Sequence, residues 1–170
     1  MVKKRPMAIN DKKYQDTILY LCHKLGGELR GKKKLAKLLY FADFDFYEKY
    51  ERSITGDIYR AFPMGPLPTS LDDITGELVS KKKMSIQQDE IREGYNPAEK
   101  YICHVGLEES SLDMDERKML DRIILKYGHL NGKELEELSH AEAPYIATPL
   151  REEIPYELTF YRGTDFGDLK

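Results

Sequence analysis

The segment LAKLLYFADFDFYEKY, residues 35–50, limits the possible folds more than any other part of the chain. Its apolar residues follow a helical period, but they cover most of the helix instead of one stripe. Its two apolar faces are formed by Leu35, Leu38, Leu39, Ala42 and Phe46 and by Tyr40, Phe44 and Tyr47. A helix that is hydrophobic nearly all round lies at the centre of its domain. The sequence therefore predicts a fold built around this helix.

Further helices are predicted on both sides of the central one. An amphipathic helix runs from Tyr14 to Leu25, and Gly26 and Gly27 end it because glycine readily adopts the left-handed conformation that closes a helix. Capping signals predict three more helix starts. These starts lie at Thr69 or Ser70 with Asp72 or Asp73, at Asp113 with Glu116, and at Asn131 with Glu134. The last helix must end before Pro144, since proline disfavours a helical residue ahead of it.

Extended segments interrupt the helices in two places. ITGDIYRAF, residues 54–62, is β-branched and aromatic and predicts a short strand, which a proline-rich loop follows. Residues 85–92 and 100–105, joined by the turn-rich GYNPAE, predict a β-hairpin. The expected fold class is mainly α (α+β): a compact helical domain with a small β-hairpin or wing-like element.

The expected domain runs from residue 14 to residue 162. Residues 1–13 are predicted to be a loose lead-in, and residues 163–170 a loose tail. Between them, the apolar segment 154–161 is predicted to dock on the domain. A chain of 170 residues has enough length for one such domain with a substantial core.

Charge and hydropathy exclude several classes of protein. The formal net charge is −3 and 34% of the residues are charged, which is typical of a soluble domain and not of a dedicated nucleic-acid binder. No apolar run approaches the roughly 20 residues that span a bilayer, and no apolar region follows the basic start MVKKRPMAIN. We therefore expect a cytoplasmic protein with no membrane partner, whose Cys22 and Cys103 are free thiols.

The motifs of common enzymes are missing from the sequence. PMGPLPTS has one glycine, and its prolines lack the amide donors that a phosphate-binding loop uses. The Cys-His pairs at 22–23 and 103–104 are adjacent residues, which point in different directions and lack zinc-ligand spacing. His140 and Glu142 offer an acid–base pair for a hydrolase, or His140 simply ends a helix. We predict no enzymatic activity, no cofactor and no metal.

A DNA-binding unit is an alternative. A helix at about 70–83, the run KKK and the hairpin follow the order of a winged helix. The lysine runs 32–34 and 81–83 have the charge to contact phosphates. Charge runs at helix ends are also commonly just solvated, so this reading stands as a second hypothesis.

The proline-rich stretch YRAFPMGPLPTS, residues 59–70, has an unusual backbone whatever its role. Each residue before a proline is pushed towards extended geometry, so the segment is stiff before any partner arrives. Such a segment either ends a strand and caps the next helix, or presents a rigid binding surface. A ligand for a proline-reading domain is a weaker reading, since those ligands usually lie in disordered tails.

Three segments together resemble one family. KLAKLLYFADFDFYEKYERSITGDIYRAFPMGPLP is similar to the signature of the Panacea domain, the SocA-like antitoxin family. ELSHAEAPYIAT and IPYELTFYR resemble its second and C-terminal characteristic segments. The resemblance runs from about Tyr14 to Arg162.

This resemblance implies a mainly helical, non-enzymatic domain that neutralises a toxin. Members bind a cognate toxin directly, some deliver it to a protease, and the toxin is expected to be encoded next to the antitoxin. The proline segment and HAEAPY then become the predicted partner-binding surface. Its residues are Tyr59, Arg60, Met64, Gly65, Pro66, Leu67, Pro68, His140, Glu142, Pro144 and Tyr145.

Overall fold

A computed structural model of the protein describes residues 8–88 and 98–169, which hold six α-helices, one 3-10 helix and five short strands. In chain order these are α1 (Asp11–Lys24), β1 (Glu28–Arg30), α2 (Lys32–Tyr50), β2 (Tyr59–Phe62), β3 (Gly65–Pro68), α3 (Leu71–Ser80), β4 (Met84–Gln88), β5 (Glu99–Cys103), α4 (Met114–Tyr127), α5 (Gly132–His140), α6 (Ala143–Ile146) and the 3-10 helix Tyr156–Tyr161. The predicted class, mainly α with a small β part, is confirmed.

Helix α2 lies at the centre of the fold, as its all-round apolar character predicts. Every residue from Leu35 to Phe46 is buried. The helix contacts α4, α5, β3 and the 3-10 helix, so it meets neighbours on several sides. Aromatic contacts hold two of these neighbours: Phe41 stacks on Tyr127 of α4 at 4.2 Å, and Phe44 lies 4.5 Å from the ring of Tyr156.

Most helix ends lie where the capping signals place them. Gly26 and Gly27 follow α1 with φ of +93° each. The capping boxes at Asp113 and at Asn131 both form, and α5 ends before Pro144. The capping box predicted at the start of α3 is wrong. Ser70 makes no side-chain cap there, and the Asp57 carboxylate accepts a hydrogen bond from the backbone N–H of Ser70 instead.

The predicted hairpin of β4 and β5 is confirmed and belongs to a larger sheet. The two strands pair antiparallel, and β1 pairs with the other side of β5, giving the order β1-β5-β4. Strand β1 was not predicted. The connecting turn GYNPAE falls mostly outside the described residues.

Ordered contacts are found beyond residues 14–162, the predicted bounds of the domain. Helix α1 begins at Asp11, where the Asn10 side chain accepts a hydrogen bond from Lys13 N–H, so the ordered domain starts before Tyr14. At the other end, the Arg122 guanidinium lies 4.9 Å from the Phe166 ring and 2.8 Å from the Asp168 carboxylate. Two residues of the segment that was predicted to be a loose tail, Phe166 and Asp168, therefore contact Arg122 of α4.

Candidate partner-binding face

The proline-rich stretch, residues 59–70, forms a β-hairpin, and its part Gly65–Pro68 is a strand where the sequence predicts a loop. Strand β3 pairs antiparallel with β2, with Arg60 opposite Leu67 and Phe62 opposite Gly65. Thr69 N–H donates to the carbonyl of Ile58 at 2.9 Å, which fixes the alternation of hydrogen-bonded pairs along the ladder.

That alternation explains how two prolines fit into this strand. The backbone groups of residues 65, 67 and 69 face β2, so the nitrogens of Pro66 and Pro68 face away from it. Proline has no N–H to give, and at these two positions the ladder needs none. The prolines therefore stiffen the strand at no cost in hydrogen bonds to β2.

The outer edge of β3 is closed by a buried lysine. Lys37, on α2, is fully buried, and its ammonium nitrogen donates to the carbonyl of Pro66 at 2.8 Å. Burial lowers the pKa of Lys37 to about 7, and the charge of Glu136 partly opposes that shift. Lys37 therefore keeps its hydrogen bond in the core but is only about half charged at pH 7.

Gly65 is the point of closest approach between this hairpin and the helices. Its φ is +98°, and a Cβ built on it would lie 2.7 Å from Ser139 Oγ of α5 and 3.0 Å from Lys37 Nζ. An L side chain would therefore be strained both by the backbone and by its neighbours. Glycine at this position lets the hairpin lie directly against α2 and α5.

The outer edge of β2 is also occupied. Ala61 N–H donates to the carbonyl of Glu152 at 3.0 Å, and Ile154 N–H donates to the carbonyl of Tyr59 at 2.8 Å. Residues 151–154 therefore run along β2 as a third, irregular strand. Between this segment on one side and Lys37 on the other, both hairpin edges are covered.

The segment HAEAPY, residues 140–145, packs against the tip of the hairpin. His140 Nε2 lies 2.9 Å from the carbonyl of Pro63, and Tyr145 OH donates to the carbonyl of Phe62 at 2.6 Å. The two side chains also lie against each other, with ring centroids 5.0 Å apart. The structure thus joins the two sequence-predicted segments, which are about 80 residues apart, into one surface.

We call this surface the hairpin face and define it by its accessible residues Arg60, Met64, Leu67, His140 and Tyr145. Met64 at the tip is 51% exposed. Beside it opens a cavity of about 540 Å³, whose apolar lining includes Phe62, Met64, Leu67, Pro68 and Leu71. Cavities of this size and character hold apolar side chains or small ligands.

The other predicted site residues lie beneath this face. Tyr59, which was predicted to contact the partner, is only 1% exposed, and its OH donates to the Asp43 carboxylate at 2.6 Å. Gly65, Pro66 and Pro144 are buried, and Pro68 is partly buried. These residues pack beneath the hairpin face and do not form part of its accessible surface.

Glu142 belongs to an ionic network and not to an acid–base pair with His140. Its carboxylate accepts a hydrogen bond from Arg162, which also lies 2.8 Å from Asp45 and 3.2 Å from Glu48. Burial raises the pKa of Glu142, and the charge of Arg162 opposes that rise. This network anchors the segment below the hairpin tip to α2.

Lys37 and Asp43 were missed as site residues, although both stand out as charged residues in the most apolar helix. The Asp43 carboxylate accepts hydrogen bonds from Ile54 N–H, Thr55 N–H, Thr55 OH and Tyr59 OH, at 2.6–2.9 Å. Burial raises its pKa to about 6, and these hydrogen bonds oppose the rise. A charged residue at a buried helical position signals a specific partner, and here both residues hold the hairpin in place.

The winged-helix order of elements is present, and the lysines of the separate run 32–34 have partners within the chain. Helix α3, the lysine turn and β4–β5 follow one another as predicted. Lys32 pairs with Asp72 at 2.7 Å, Lys33 with Glu136 at 3.4 Å, and Lys34 donates to the carbonyl of Gly128. Ion pairs within the chain reduce the positive charge that the first lysine run offers to DNA.

The described residues were also compared with the requirements of a metal site, a disulfide and a membrane-spanning helix. Residues 8–88 and 98–169 contain no cluster of three or more His, Cys, Asp or Glu side chains arranged to hold a metal ion. Cys22 is buried, Cys103 is partly buried, and both thiols are free. None of the helices in this part of the chain combines the length and the apolar character that a bilayer crossing requires.

A comparison with known families identifies the family of this chain. The model of the family described as antitoxin SocA-like, Panacea domain, matches residues 35–145. That span is more than half of the chain, and the protein belongs to this family. It runs from α2 through the hairpin to Tyr145, so it includes all five residues of the hairpin face. No curated protein and no solved structure matches the chain. Membership supports an antitoxin role in general.

Proposed function

We propose that the protein is a non-enzymatic antitoxin that neutralises a cognate toxin by binding it through the hairpin face. The observation that carries this proposal is an exposed apolar tip, Met64, held on a fully supported hairpin inside the family segment. A large apolar side chain on a fixed backbone is typical of an interface anchor.

The way the tip is supported favours binding over a purely structural role. The carbonyls of Phe62, the last residue of β2, and of Pro63, the first residue of the turn, lie within hydrogen-bond distance of Tyr145 OH and His140 Nε2. Little conformational entropy is therefore lost when a partner docks. The adjacent cavity of about 540 Å³ offers space for an apolar side chain of the toxin.

The first experiment is co-expression. The reading frame next to this gene is expressed in a bacterial host with and without the protein, and growth and co-purification are measured. Rescue of growth together with a stable complex supports direct neutralisation. A toxic neighbour that is neither rescued nor bound contradicts it.

Point variants then test the hairpin face itself. Met64→Asp and Leu67→Asp place a charge on the tip and in the cavity lining, and each is expected to weaken toxin binding by about 30-fold or more, the effect of a hot-spot residue. Met114→Asp is the matched control, since Met114 is also an exposed methionine but lies at the start of α4. Binding is measured by calorimetry. Equal losses in Met64→Asp and Met114→Asp would place the interface elsewhere.

Two alternatives are tested with the same material. A protease adaptor lowers the level of the toxin in cells instead of only blocking it, so toxin half-life with and without this protein separates the two modes. A DNA-binding regulator binds duplex DNA with an affinity that falls steeply with salt, because lysines release counterions. Absence of duplex binding at low salt removes that alternative.

A further inference from the structure

The two cysteines of the chain are far apart in sequence, but the fold brings them to the same carbonyl group. Cys22, in the last turn of α1, donates through its thiol to the carbonyls of Gly27 at 3.4 Å and Tyr101 at 3.5 Å. The backbone N–H of Cys103, at the end of β5, donates to the same Gly27 carbonyl at 3.0 Å. The Gly27 carbonyl therefore contacts both residues.

The side chain of Cys103 lies on the side of the sheet that faces Cys22. Alternate residues of a strand face the same side, so Cys103 shares a face with Tyr101. Tyr101 is 1% exposed, and α1 packs against β5. The two thiols interact there: burial raises the pKa of Cys22 to about 12, and the charge and the side-chain hydrogen bond of Cys103 add to the rise.

The two thiols differ in their access to solvent. Cys22 is fully buried, whereas Cys103 is partly exposed and lines an open depression of about 490 Å³. His23 and His104 line the same depression, and an imidazolium near a thiol favours the thiolate, which is the reactive form. A small reagent therefore reaches Cys103 first, and Cys22 lies behind it.

The turn that follows α1 has room to adjust. A disulfide requires the two sulfurs to approach from hydrogen-bond distance to bonding distance. Gly26 and Gly27 lie between α1 and β1, and a Cβ built on either glycine meets nothing within 4 Å. The end of α1 that carries Cys22 is therefore joined to the sheet by a turn that no neighbour crowds.

We propose that Cys22 and Cys103 form a reversible disulfide when the protein meets a hydroperoxide, with Cys103 as the attacking thiol and Cys22 as the resolving thiol. The Cys103 sulfur attacks the outer oxygen of the hydroperoxide: an S–O bond forms, the O–O bond breaks, and the alcohol or water leaves with the thiol proton. The Cys22 sulfur then attacks the sulfenic acid on Cys103: the S–S bond forms, the S–O bond breaks, and the hydroxyl leaves as water with the proton of Cys22. Two thiols are oxidised and one hydroperoxide is reduced.

The disulfide would act on the elements that carry the hairpin face. It would close a loop that contains α2 and the hairpin of β2 and β3, which restricts the unfolded chain and stabilises the fold. In a reducing compartment such bonds are usually transient and redox-sensing. The proposal does not rest on toxin binding, because neither cysteine belongs to the hairpin face.

The test treats the purified, reduced natural chain with hydrogen peroxide, then denatures it and labels free thiols with an alkylating reagent. Intact mass counts the labelled thiols, and a non-reducing peptide map identifies the linked residues. We expect both thiols to be lost to labelling, a peptide that joins Cys22 to Cys103, and recovery of both thiols with dithiothreitol. In urea, where the fold no longer holds the thiols together, linking should be at least about tenfold slower.

Two variants separate the roles of the thiols. In Cys22→Ala the resolving thiol is missing, so Cys103 should stop at the sulfenic acid, which dimedone traps. In Cys103→Ala the accessible thiol is missing, so Cys22 should keep its thiol at the peroxide concentration that converts the natural chain. The mass and the peptide map of the natural chain decide the proposal without either variant.

Four results would overturn the proposal. One is a natural chain that keeps both free thiols under peroxide, and another is sulfinic or sulfonic acid on Cys103 with no link to Cys22. The third is a disulfide between two chains, seen as a dimer on a non-reducing gel. The fourth is linking at the same rate in urea as in the folded chain, which would mean that the fold does not bring the thiols together.

Discussion

Replacing Gly65 by alanine tests the central packing contact of the hairpin face. The added Cβ would lie 2.7 Å from Ser139 Oγ, at a backbone φ of +98°. A non-glycine residue at positive φ costs about 1–3 kcal/mol, and forcing an extra carbon into a packed site costs about another 1–3 kcal/mol. Gly65→Ala is therefore expected to lower the free energy of unfolding by roughly 2–6 kcal/mol.

A double-mutant cycle separates the two causes. Ser139→Ala removes the atom that the new Cβ would approach most closely, so adding it to Gly65→Ala should restore the part of the packing cost that Ser139 causes. The contacts with Lys37 and the backbone strain remain. The free energy of unfolding is measured by urea titration followed by circular dichroism. The coupling between the two substitutions is expected to be about 1–3 kcal/mol.

A glycine in open space provides the control. Gly76 lies in α3, and a Cβ built there has nothing within 4 Å. Gly76→Ala should stabilise the protein by about 0.5–1 kcal/mol, the usual gain in a helix interior. A loss below about 1 kcal/mol for Gly65→Ala, or no coupling with Ser139→Ala, would refute the packing argument.

Two further predictions concern the buried charges of α2. The pKa of Lys37 is about 7 in the fold, below the value of about 10.4 in an unfolded chain. Between these two pH values the unfolded state binds more protons than the folded state, so the free energy of unfolding rises with pH. Urea titrations of the natural protein should show this rise, on the order of 2 kcal/mol from about pH 7 to pH 9. The variant Lys37→Met should not show it. An identical dependence of stability on pH in both proteins would mean that Lys37 stays charged. Asp43→Ala should lower the free energy of unfolding by about 3 kcal/mol or more, because four hydrogen bonds lose their acceptor. Asp43→Asn should lower the free energy of unfolding by less, because its amide oxygen keeps two of the four hydrogen bonds. Equal melting temperatures for Asp43→Asn and the natural protein would contradict the role of the carboxylate.

Features that depend on residues close in sequence were predictable from the sequence. The capping boxes at Asp113 and Asn131 each need only a partner three residues away. The central position of α2 follows from its own composition. The capping box predicted at Ser70 was wrong because a distant group decides it: Asp57 accepts the hydrogen bond from the helix start.

The candidate site could be predicted only in part, for the same reason. The sequence shows that the proline segment is stiff, but whether prolines fit a strand depends on which backbone groups face the partner strand. Tyr59 has the chemistry of an interface residue, and only the fold shows that its hydroxyl points at Asp43. The contact of His140 and Tyr145 with the hairpin tip also crosses about 80 residues of chain.

The hairpin tip is held by parts of the chain that lie far apart: α2, the segment 140–145 and residues 151–154. No short peptide cut from the protein carries the binding surface, and unfolding of any of these parts releases it. Under the proposed function, a toxin bound there would stabilise the whole chain, by about 2.7 kcal/mol when its concentration is 100 times the dissociation constant. Cellular proteases attack unfolded chains, so the proposal predicts a shorter lifetime for the free protein than for its complex with the toxin.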